Sequence, residues 1–198
     1  MSEARVKVKA GGTMRIVGGR FKGQGLASPA GSATRPTSDR VRESIFNILA
    51  HGISGFTLDG ARVMDLFAGT GALGFEALSR GARFCQFVDE SADARGIIRR
   101  NADALGVIGL SKIWRRDATK LGPCAPQTPF DLVFADPPYG RGLGEQALAA
   151  IIEGQWLSHG GVVVLEGAEK IAIVGVPGLN LLDQRSYGDT QVRFYRIV

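Results

Sequence analysis

From residue 61 onward the sequence alternates short apolar segments, typical of buried strands, with amphipathic stretches, typical of helices. Strands are predicted over residues 61–67, 83–89, 110–117, 130–135 and 161–166. Helices are predicted over residues 70–80, 91–105 and 143–157. This order predicts an α/β fold with a mostly parallel, doubly wound sheet. Two last strands, 180–187 and 191–198, flank Gly188-Asp189 and predict an antiparallel C-terminal hairpin.

The N-terminal part predicts a smaller structure in front of this sheet. Residues 14–17 and 25–26 flank a glycine-rich stretch and predict a short hairpin, whereas residues 1–13 are expected to lack fixed structure. Thr37 or Ser38 is then positioned to cap a helix whose apolar positions recur at helical spacing. These positions are Val41, Ile45, Ile48 and Leu49. We therefore predict an N-terminal extension, residues 1–37, and a main domain, residues 38–198.

Composition excludes several classes of protein. The 198 residues are 44% hydrophobic and 22% charged, as in ordinary globular domains. The sequence has no apolar run near the roughly 18 residues that span a bilayer, and its first residues do not resemble a secretory signal. Two isolated cysteines and two isolated histidines argue against a disulfide framework or a zinc site. A cytoplasmic protein without a metal or a membrane partner is predicted.

Charge is distributed unevenly along the chain. The first 50 residues hold nine Lys and Arg against three Asp and Glu, while the remaining residues hold fifteen against sixteen. This asymmetry is typical of a segment that docks on a polyanion, although a solubilising tail would have the same composition.

A glycine-rich motif, Gly69-x-Gly71-x-x-Gly74, follows the first predicted strand and opens a helix. Such a loop lets a ligand approach the backbone, and Asp89 at the end of the next strand is placed to bind ribose hydroxyls. The motif alone fits a dinucleotide and S-adenosylmethionine almost equally, or a tight turn without a ligand. Asp65 favours S-adenosylmethionine, because a strand-end acid disfavours a pyrophosphate and suits a ligand with an ammonium and a sulfonium.

A second motif, Asp136-Pro137-Pro138-Tyr139, follows the apolar strand 130–135. Two successive prolines make a rigid turn without backbone donors, so the turn presents carboxylate and carbonyl acceptors beside an aromatic ring. This combination suits an exocyclic amino group on a flat heteroaromatic base, with Tyr139 stacked on the ring. The alternative is a proline-stiffened loop with a capping Asp.

Together the two motifs resemble those of class I S-adenosylmethionine-dependent amino-methyltransferases. More narrowly, five segments resemble the RsmD-type 16S rRNA (guanine-N2) methyltransferases, over nearly the whole chain from residue 14. The segments are 14–23, 34–43, 65–74, 136–139 and 187–190. The resemblance implies a Rossmann-like, seven-stranded twisted sheet with helices on both faces and a small basic N-terminal hairpin.

The resemblance also implies roles for individual residues. S-adenosylmethionine is expected to contact the glycine loop and three strand-end acids; the cofactor residues are Asp65, Phe67, Ala68, Gly69, Gly71, Asp89, Asp117 and Ala118. Catalytic roles are expected for Asp136, Pro137 and Tyr139. The remaining substrate contacts, mostly to RNA phosphates, are expected from Pro138, Arg15, Arg20, Lys22, Arg35, Thr37, Arg40 and Arg42.

By resemblance, the substrate is a guanine of 16S rRNA, and the partner is the assembled small ribosomal subunit. A monomer is expected. Two other functions remain open. A DNA amino-methyltransferase shares the Asp-Pro-Pro-Tyr motif but usually needs a target-recognition domain, for which no segment remains. A non-catalytic RNA-binding assembly factor would have no need of both motifs.

Overall fold

The computed structural model describes residues 14–29, 38–168 and 177–198, so the predicted unstructured start, residues 1–13, lies outside the described residues. The described strands are β1 (Arg62–Leu66), β2 (Phe84–Val88), β3 (Ser111–Trp114), β4 (Phe130–Ala135), β5 (Leu157–Ala168), β6 (Leu179–Tyr187) and β7 (Thr190–Ile197). The described α-helices are α1 (Asp39–His51), α2 (Ala72–Ser79), α3 (Ala92–Ala104) and α4 (Leu143–Glu153).

The seven strands form one sheet in the order β3-β2-β1-β4-β5-β7-β6. The first five strands are parallel, and β7 runs antiparallel to both β5 and β6. The strand order reverses between β1 and β4, and ligands of open α/β sheets bind in the crevice beyond the carboxyl ends of the strands at such a reversal. The predicted mostly parallel sheet with an antiparallel C-terminal hairpin is therefore confirmed.

Two apolar clusters cover the two faces of the sheet. One holds buried side chains of α1, α2 and α3, and the Phe46 ring lies 5.6 Å from the Phe134 ring within it. The other is built around α4 and the fully buried Trp156. Helices thus lie on both faces, and the apolar strand residues pack between two layers.

The boundary between α4 and β5 differs from the predicted one. The sequence predicts a helix to residue 157 and a strand from residue 161, but α4 ends at Glu153 and β5 begins at Leu157. Phe130 donates its N–H to the Trp156 carbonyl at 2.8 Å, so the chain has already joined the sheet there. An apolar run at a helix end does not distinguish one more helical turn from the start of a buried strand.

The N-terminal hairpin is present and packs on the main sheet domain. Backbone N–H groups of Ile16 and Leu26 donate across the hairpin to Gln24 and Met14 at 2.9 and 2.7 Å. A single 3₁₀ turn, Gly19–Phe21, forms its tip. Both Ile16 and Leu26 are buried in the same apolar cluster as α1 and α2. After the undescribed residues 30–37, Ser38 caps α1 by accepting the Val41 N–H at 3.3 Å.

No helix within the described ranges is long and apolar enough to cross a membrane. Those ranges also contain no group of three His, Cys, Asp or Glu placed to hold a metal ion.

Candidate active site at the strand-order reversal

The glycine loop between β1 and α2 has the backbone of a ligand-binding turn. Phe67, Gly69 and Gly71 all have positive φ, at 56°, 55° and 78°. For Phe67 this conformation is strained, and such strain persists where the surrounding structure fixes the turn.

The glycines of this loop serve different purposes. A Cβ on Gly69 would meet nothing nearer than the Phe67 carbonyl oxygen at 3.8 Å, so this side of the loop is open to a ligand. A Cβ on Gly71 would lie 2.6 Å from the Phe75 ring, and one on Gly74 would lie 2.4 Å from the Phe87 ring. Gly69 therefore gives access to the backbone, whereas Gly71 and Gly74 allow α2 to pack closely.

Asp89, just after β2, holds the glycine loop in place. Its two carboxylate oxygens accept the backbone N–H groups of Gly69 and Ser91, at 2.9 and 2.8 Å. Each oxygen of an ionised carboxylate has a second lone pair, so the group keeps acceptor capacity toward a ligand in the crevice.

Asp65 is the buried acid of the site, only 2% exposed, and it accepts the Gly74 N–H at 3.0 Å. Burial raises the pKa of its carboxyl well above the usual range, and the negative charges of Asp136 and Asp89 raise it further. A cationic ligand at this point would favour the ionised form. The environment of Asp65 therefore suits a positively charged group and opposes an anionic one.

Asp117 lies beyond the end of β3, on a loop stabilised by its own side chain. It accepts the Thr119 hydroxyl at 2.7 Å and the Thr119 backbone N–H at 2.8 Å. These hydrogen bonds lower the pKa of Asp117. The neighbouring Ala118 is buried in the apolar cluster around α4.

The Asp-Pro-Pro-Tyr turn follows β4 directly. Pro137 is buried, whereas Pro138 is exposed and Tyr139 is 49% exposed. The Tyr139 hydroxyl lies 3.1 Å from the Thr190 hydroxyl of β7. Partial burial raises the Tyr139 pKa, and the Thr190 hydrogen bond opposes this effect. A half-exposed aromatic ring is thus held close to the carboxyl end of β4.

The glycine loop and this turn lie side by side. Leu66, the last residue of β1, pairs with Ala135, the last residue of β4, so the loop and the turn begin on adjacent strands. Three features fit S-adenosylmethionine: the open backbone at Gly69, the buried Asp65, which suits a cation, and the acids Asp89 and Asp117 after the two neighbouring strands. The fold and this site define a Rossmann-like, S-adenosylmethionine-dependent methyltransferase.

Comparison with known proteins agrees with this class. The profile of the family described as Conserved hypothetical protein 95 matches residues 14–196, and the chain belongs to that family. Ribosomal RNA small subunit methyltransferase D of Escherichia coli K12 is 32% identical over 93% of this chain and 90% of its own length. The Haemophilus influenzae protein of the same name is 31% identical over 94% and 95%.

A solved structure with the same fold is that of yhhF from Escherichia coli, with a TM-score of 0.80 and 31% identity. The match covers 94% of this chain and 98% of that one.

The predicted RNA-contacting residues have different environments. The side chains of Arg15, Arg20, Lys22 and Arg40 are exposed. Of these, Arg15 forms an ion pair with Asp39 at 2.9 Å. Arg35 and Thr37 lie outside the described residues.

The expectation that Arg42 contacts the substrate does not fit its buried position. Its side chain is 1% exposed, and it donates at 2.6 Å to both the Arg15 carbonyl and Asp39. Arg42 lies three and four residues before Ile45 and Phe46, so it belongs to the buried stripe of α1. The guanidinium joins α1 to the N-terminal hairpin.

Other polar residues that the sequence analysis did not identify also hold the hairpin. Glu76 of α2 is fully buried and accepts the Val17 N–H at 2.8 Å. Asn101 of α3 exchanges hydrogen bonds with the backbone of Ala27 and donates to the carbonyl of Thr70, within the glycine loop. In the sequence, Glu76 could have been recognised as a lone acid within the otherwise apolar segment that forms α2.

A further acid, Glu166, lies near the end of β5 and is 6% exposed. It lines a pocket together with Pro137, Pro138, Tyr139 and Arg193. Its sequence signal is the same as that of Asp65, Asp89 and Asp136, namely an acid at the end of an apolar strand.

Proposed function

We propose that this methyltransferase transfers a methyl group from S-adenosylmethionine to the exocyclic N2 of a guanine in 16S rRNA of the small ribosomal subunit. The observation that carries the proposal is the Asp-Pro-Pro-Tyr turn directly beside the glycine loop. This turn offers acceptors for an amino group and an aromatic ring for a base, at the strand end next to the cofactor loop.

The names of the relatives support an rRNA substrate. Two proteins that match this chain over nine-tenths of its length are named ribosomal RNA small subunit methyltransferases. The exposed basic residues at the N-terminal hairpin and the start of α1 would meet RNA phosphates, since Lys and Arg provide most of the sequence-independent affinity for nucleic acids.

The mechanism follows from the weak nucleophilicity of the guanine amino group, whose lone pair is delocalised into the ring. The Asp136 carboxylate and the Pro137 carbonyl would accept its two N–H bonds, which favours a pyramidal nitrogen with a localised lone pair. Tyr139 would stack on the base and fix its orientation.

S-adenosylmethionine supplies an activated methyl group on a sulfonium, so no covalent bond to the protein is required. Asp65 and Asp89 would hold the cofactor, with Asp117 at its adenine end. As the new N–C bond forms and the bond between the methyl group and sulfur breaks, positive charge develops on the amino nitrogen and the cofactor would leave as the neutral thioether. Asp136 would stabilise that charge and accept the proton that leaves.

The base must leave its stack to reach the turn, which is less costly in an RNA loop than in a duplex. The structured subunit is the proposed substrate, and the shape of the folded RNA would then supply the specificity.

The test is transfer of labelled methyl from S-adenosylmethionine to three substrates in parallel: unmodified small ribosomal subunits, naked 16S rRNA and duplex DNA. Nucleoside analysis should find the label as N2-methylguanosine in the subunits. Label in adenine or cytosine of DNA would replace the proposal with a DNA amino-methyltransferase. Binding to RNA without transfer to any substrate would replace it with an assembly factor.

A further inference from the structure

The Asp-Pro-Pro-Tyr turn recognises an amino group but does not explain which base carries it. Adenine, cytosine and guanine all have an exocyclic amino group on a flat ring. They differ in the ring nitrogen beside it, since guanine has an N–H there whereas adenine and cytosine have a lone pair. A residue that selects guanine must therefore lie next to the acceptors of the turn and must itself be an acceptor.

Glu166 occupies that position. Leu165 of β5 pairs with Ala135 of β4 in parallel register, so Glu166, the next residue of β5, and Asp136, the first residue after β4, follow adjacent strands at the same edge of the sheet. Adjacent strands lie about 4.8 Å apart, so the two acids start from neighbouring backbone positions. Within β5, Glu166 continues the alternation of Val164, whose side chain packs on the same face of the sheet as Phe134.

The surroundings of Glu166 fix its carboxylate at the turn. It interacts with the Tyr139 hydroxyl, and it lines the same pocket as Pro137, Pro138 and Arg193. With 6% exposure, the side chain has little contact with bulk water. An ionised carboxylate has about four lone-pair sites, so one that already accepts hydrogen bonds within the protein can also accept a donor from the base.

We propose that Glu166 selects guanine by accepting the N1–H beside the amino group that is methylated. This inference rests on the proposed function. The same carboxylate would face the ring-nitrogen lone pair of adenine or cytosine, and two acceptors that face each other without a proton repel. Glu166 therefore acts in two ways, by one favourable hydrogen bond to guanine and by exclusion of the other amino-bearing bases.

The experiment compares guanine with 2-aminopurine, which keeps the amino group but has a lone pair at N1. Small subunits are reconstituted with 16S rRNA carrying either base at the methylated position. Wild-type protein should prefer guanine by at least about 100-fold in kcat/KM, as expected for a site built around one hydrogen bond of the substrate. Glu166→Gln, whose amide can both donate and accept, should reduce this preference to less than about fivefold.

A matched control separates selection from positioning of Tyr139. Thr190→Val removes the other hydrogen-bond partner of the Tyr139 hydroxyl. It should therefore lower kcat/KM for guanine and for 2-aminopurine equally and leave the preference for guanine unchanged. Glu166→Asp keeps the charge and shortens the side chain. It should lower kcat/KM for guanine while the discrimination against 2-aminopurine persists.

The outcomes are distinguishable. If Glu166→Gln lowers kcat/KM for guanine and for 2-aminopurine in the same proportion, the residue only supports Tyr139 and the inference is wrong. If wild-type protein forms no N2-methylguanosine at all, the proposed function fails first. Affinity for S-adenosylmethionine within about twofold of wild type shows that each variant is folded.

Discussion

Tyr139 of the Asp-Pro-Pro-Tyr turn and Thr190 of the last strand are joined through their hydroxyl groups at 3.1 Å. The Tyr139 ring is half exposed, so this hydrogen bond and the contact with Glu166 restrict a side chain that has little packing of its own. The orientation of the ring that would stack on the target base therefore depends on β7, the strand most distant in sequence from the glycine loop.

The role of Tyr139 as a stacking platform predicts a large difference between two substitutions. Tyr139→Phe removes the hydroxyl contacts and keeps the ring, so kcat/KM should fall only about 3–10-fold. Tyr139→Ala removes the ring and should lower kcat/KM about 100-fold, toward the upper end of the range found when a stacking side chain is truncated. Steady-state methyl transfer measures both, with Tyr195→Phe as the control. Equal losses of kcat/KM in Tyr139→Phe and Tyr139→Ala would mean that the hydroxyl, not the ring, is the important group.

Asp136→Ala should separate chemistry from cofactor binding. Loss of the acceptor should lower the rate of methyl transfer about 1000-fold, as for removal of one group that stabilises a developing charge. The dissociation constant for S-adenosylmethionine, measured by calorimetry, should stay within about threefold. Asp103→Ala, an exposed acid on α3, is the control and should change neither quantity. A parallel loss of cofactor affinity would show that Asp136 is structural.

The buried Asp65 predicts an unusual dependence of stability on pH. Its pKa is raised in the folded protein, so between its unfolded and folded pKa values the folded state binds more protons, and stability is lost as pH rises through this window. Asp65→Asn keeps an acceptor for the Gly74 N–H and removes the charge. Above this window the variant should be more stable than wild type. Each kcal/mol gained in the free energy of unfolding should raise Tm by about 2–4 °C.

The same substitution should weaken the binding of S-adenosylmethionine, because the counter-charge for a cationic ligand is lost. Thermal unfolding between pH 4 and 8 and calorimetry at pH 7 test the two effects together. A stability difference that does not grow with pH would show that the pKa of Asp65 is not raised in the folded protein.

The strand pattern predicts most of this fold, because buried parallel strands give apolar runs that are easily recognised. It also predicts the glycine loop and the proline turn, whose chemistry depends on residues adjacent in sequence. Contacts between distant residues are not predicted in this way. Thr190 and Asn101 look like ordinary polar residues of a strand and a helix, and only the three-dimensional structure places them beside Tyr139 and Thr70.

Arg42 shows a different limit of sequence analysis. Its position agrees with the buried stripe of α1, but a positive charge in a basic segment suggested contact with RNA. Periodicity was the better guide here, since the guanidinium can be buried where a carbonyl and a carboxylate accept its hydrogen bonds.

Asn101 couples the N-terminal hairpin to the glycine loop, which predicts a double effect for Asn101→Ala. Three hydrogen bonds are lost and the backbone groups of Ala27 and Thr70 lose their side-chain partner, so the free energy of unfolding should fall by about 2–4 kcal/mol. Affinity for S-adenosylmethionine should fall as well, because Thr70 belongs to the glycine loop. Asn47→Ala, exposed on α1, is the control. Unchanged cofactor affinity in a destabilised Asn101→Ala variant would argue against the coupling.

The two arginines near the start of α1 should behave oppositely on substitution. Arg40 is exposed, so Arg40→Gln should leave stability unchanged and weaken RNA binding. The slope of the logarithm of the binding constant against the logarithm of salt concentration should become less steep by about one. Arg42→Gln should lower stability instead, because it removes the link between α1 and the hairpin. Filter binding at several salt concentrations and urea unfolding distinguish the two. An unaltered salt slope for Arg40→Gln would move the RNA-docking surface elsewhere.

Strand β7 enters the sheet between β5 and β6, although it is the last of the seven to be synthesised. Until residues 190–197 have left the ribosome, β5 has an open edge and β6 has no partner in the sheet. Thr190 is then also absent from the side of Tyr139. A nascent chain can therefore form its glycine loop early, but it gains the contact between Tyr139 and Thr190 only when translation has passed β7.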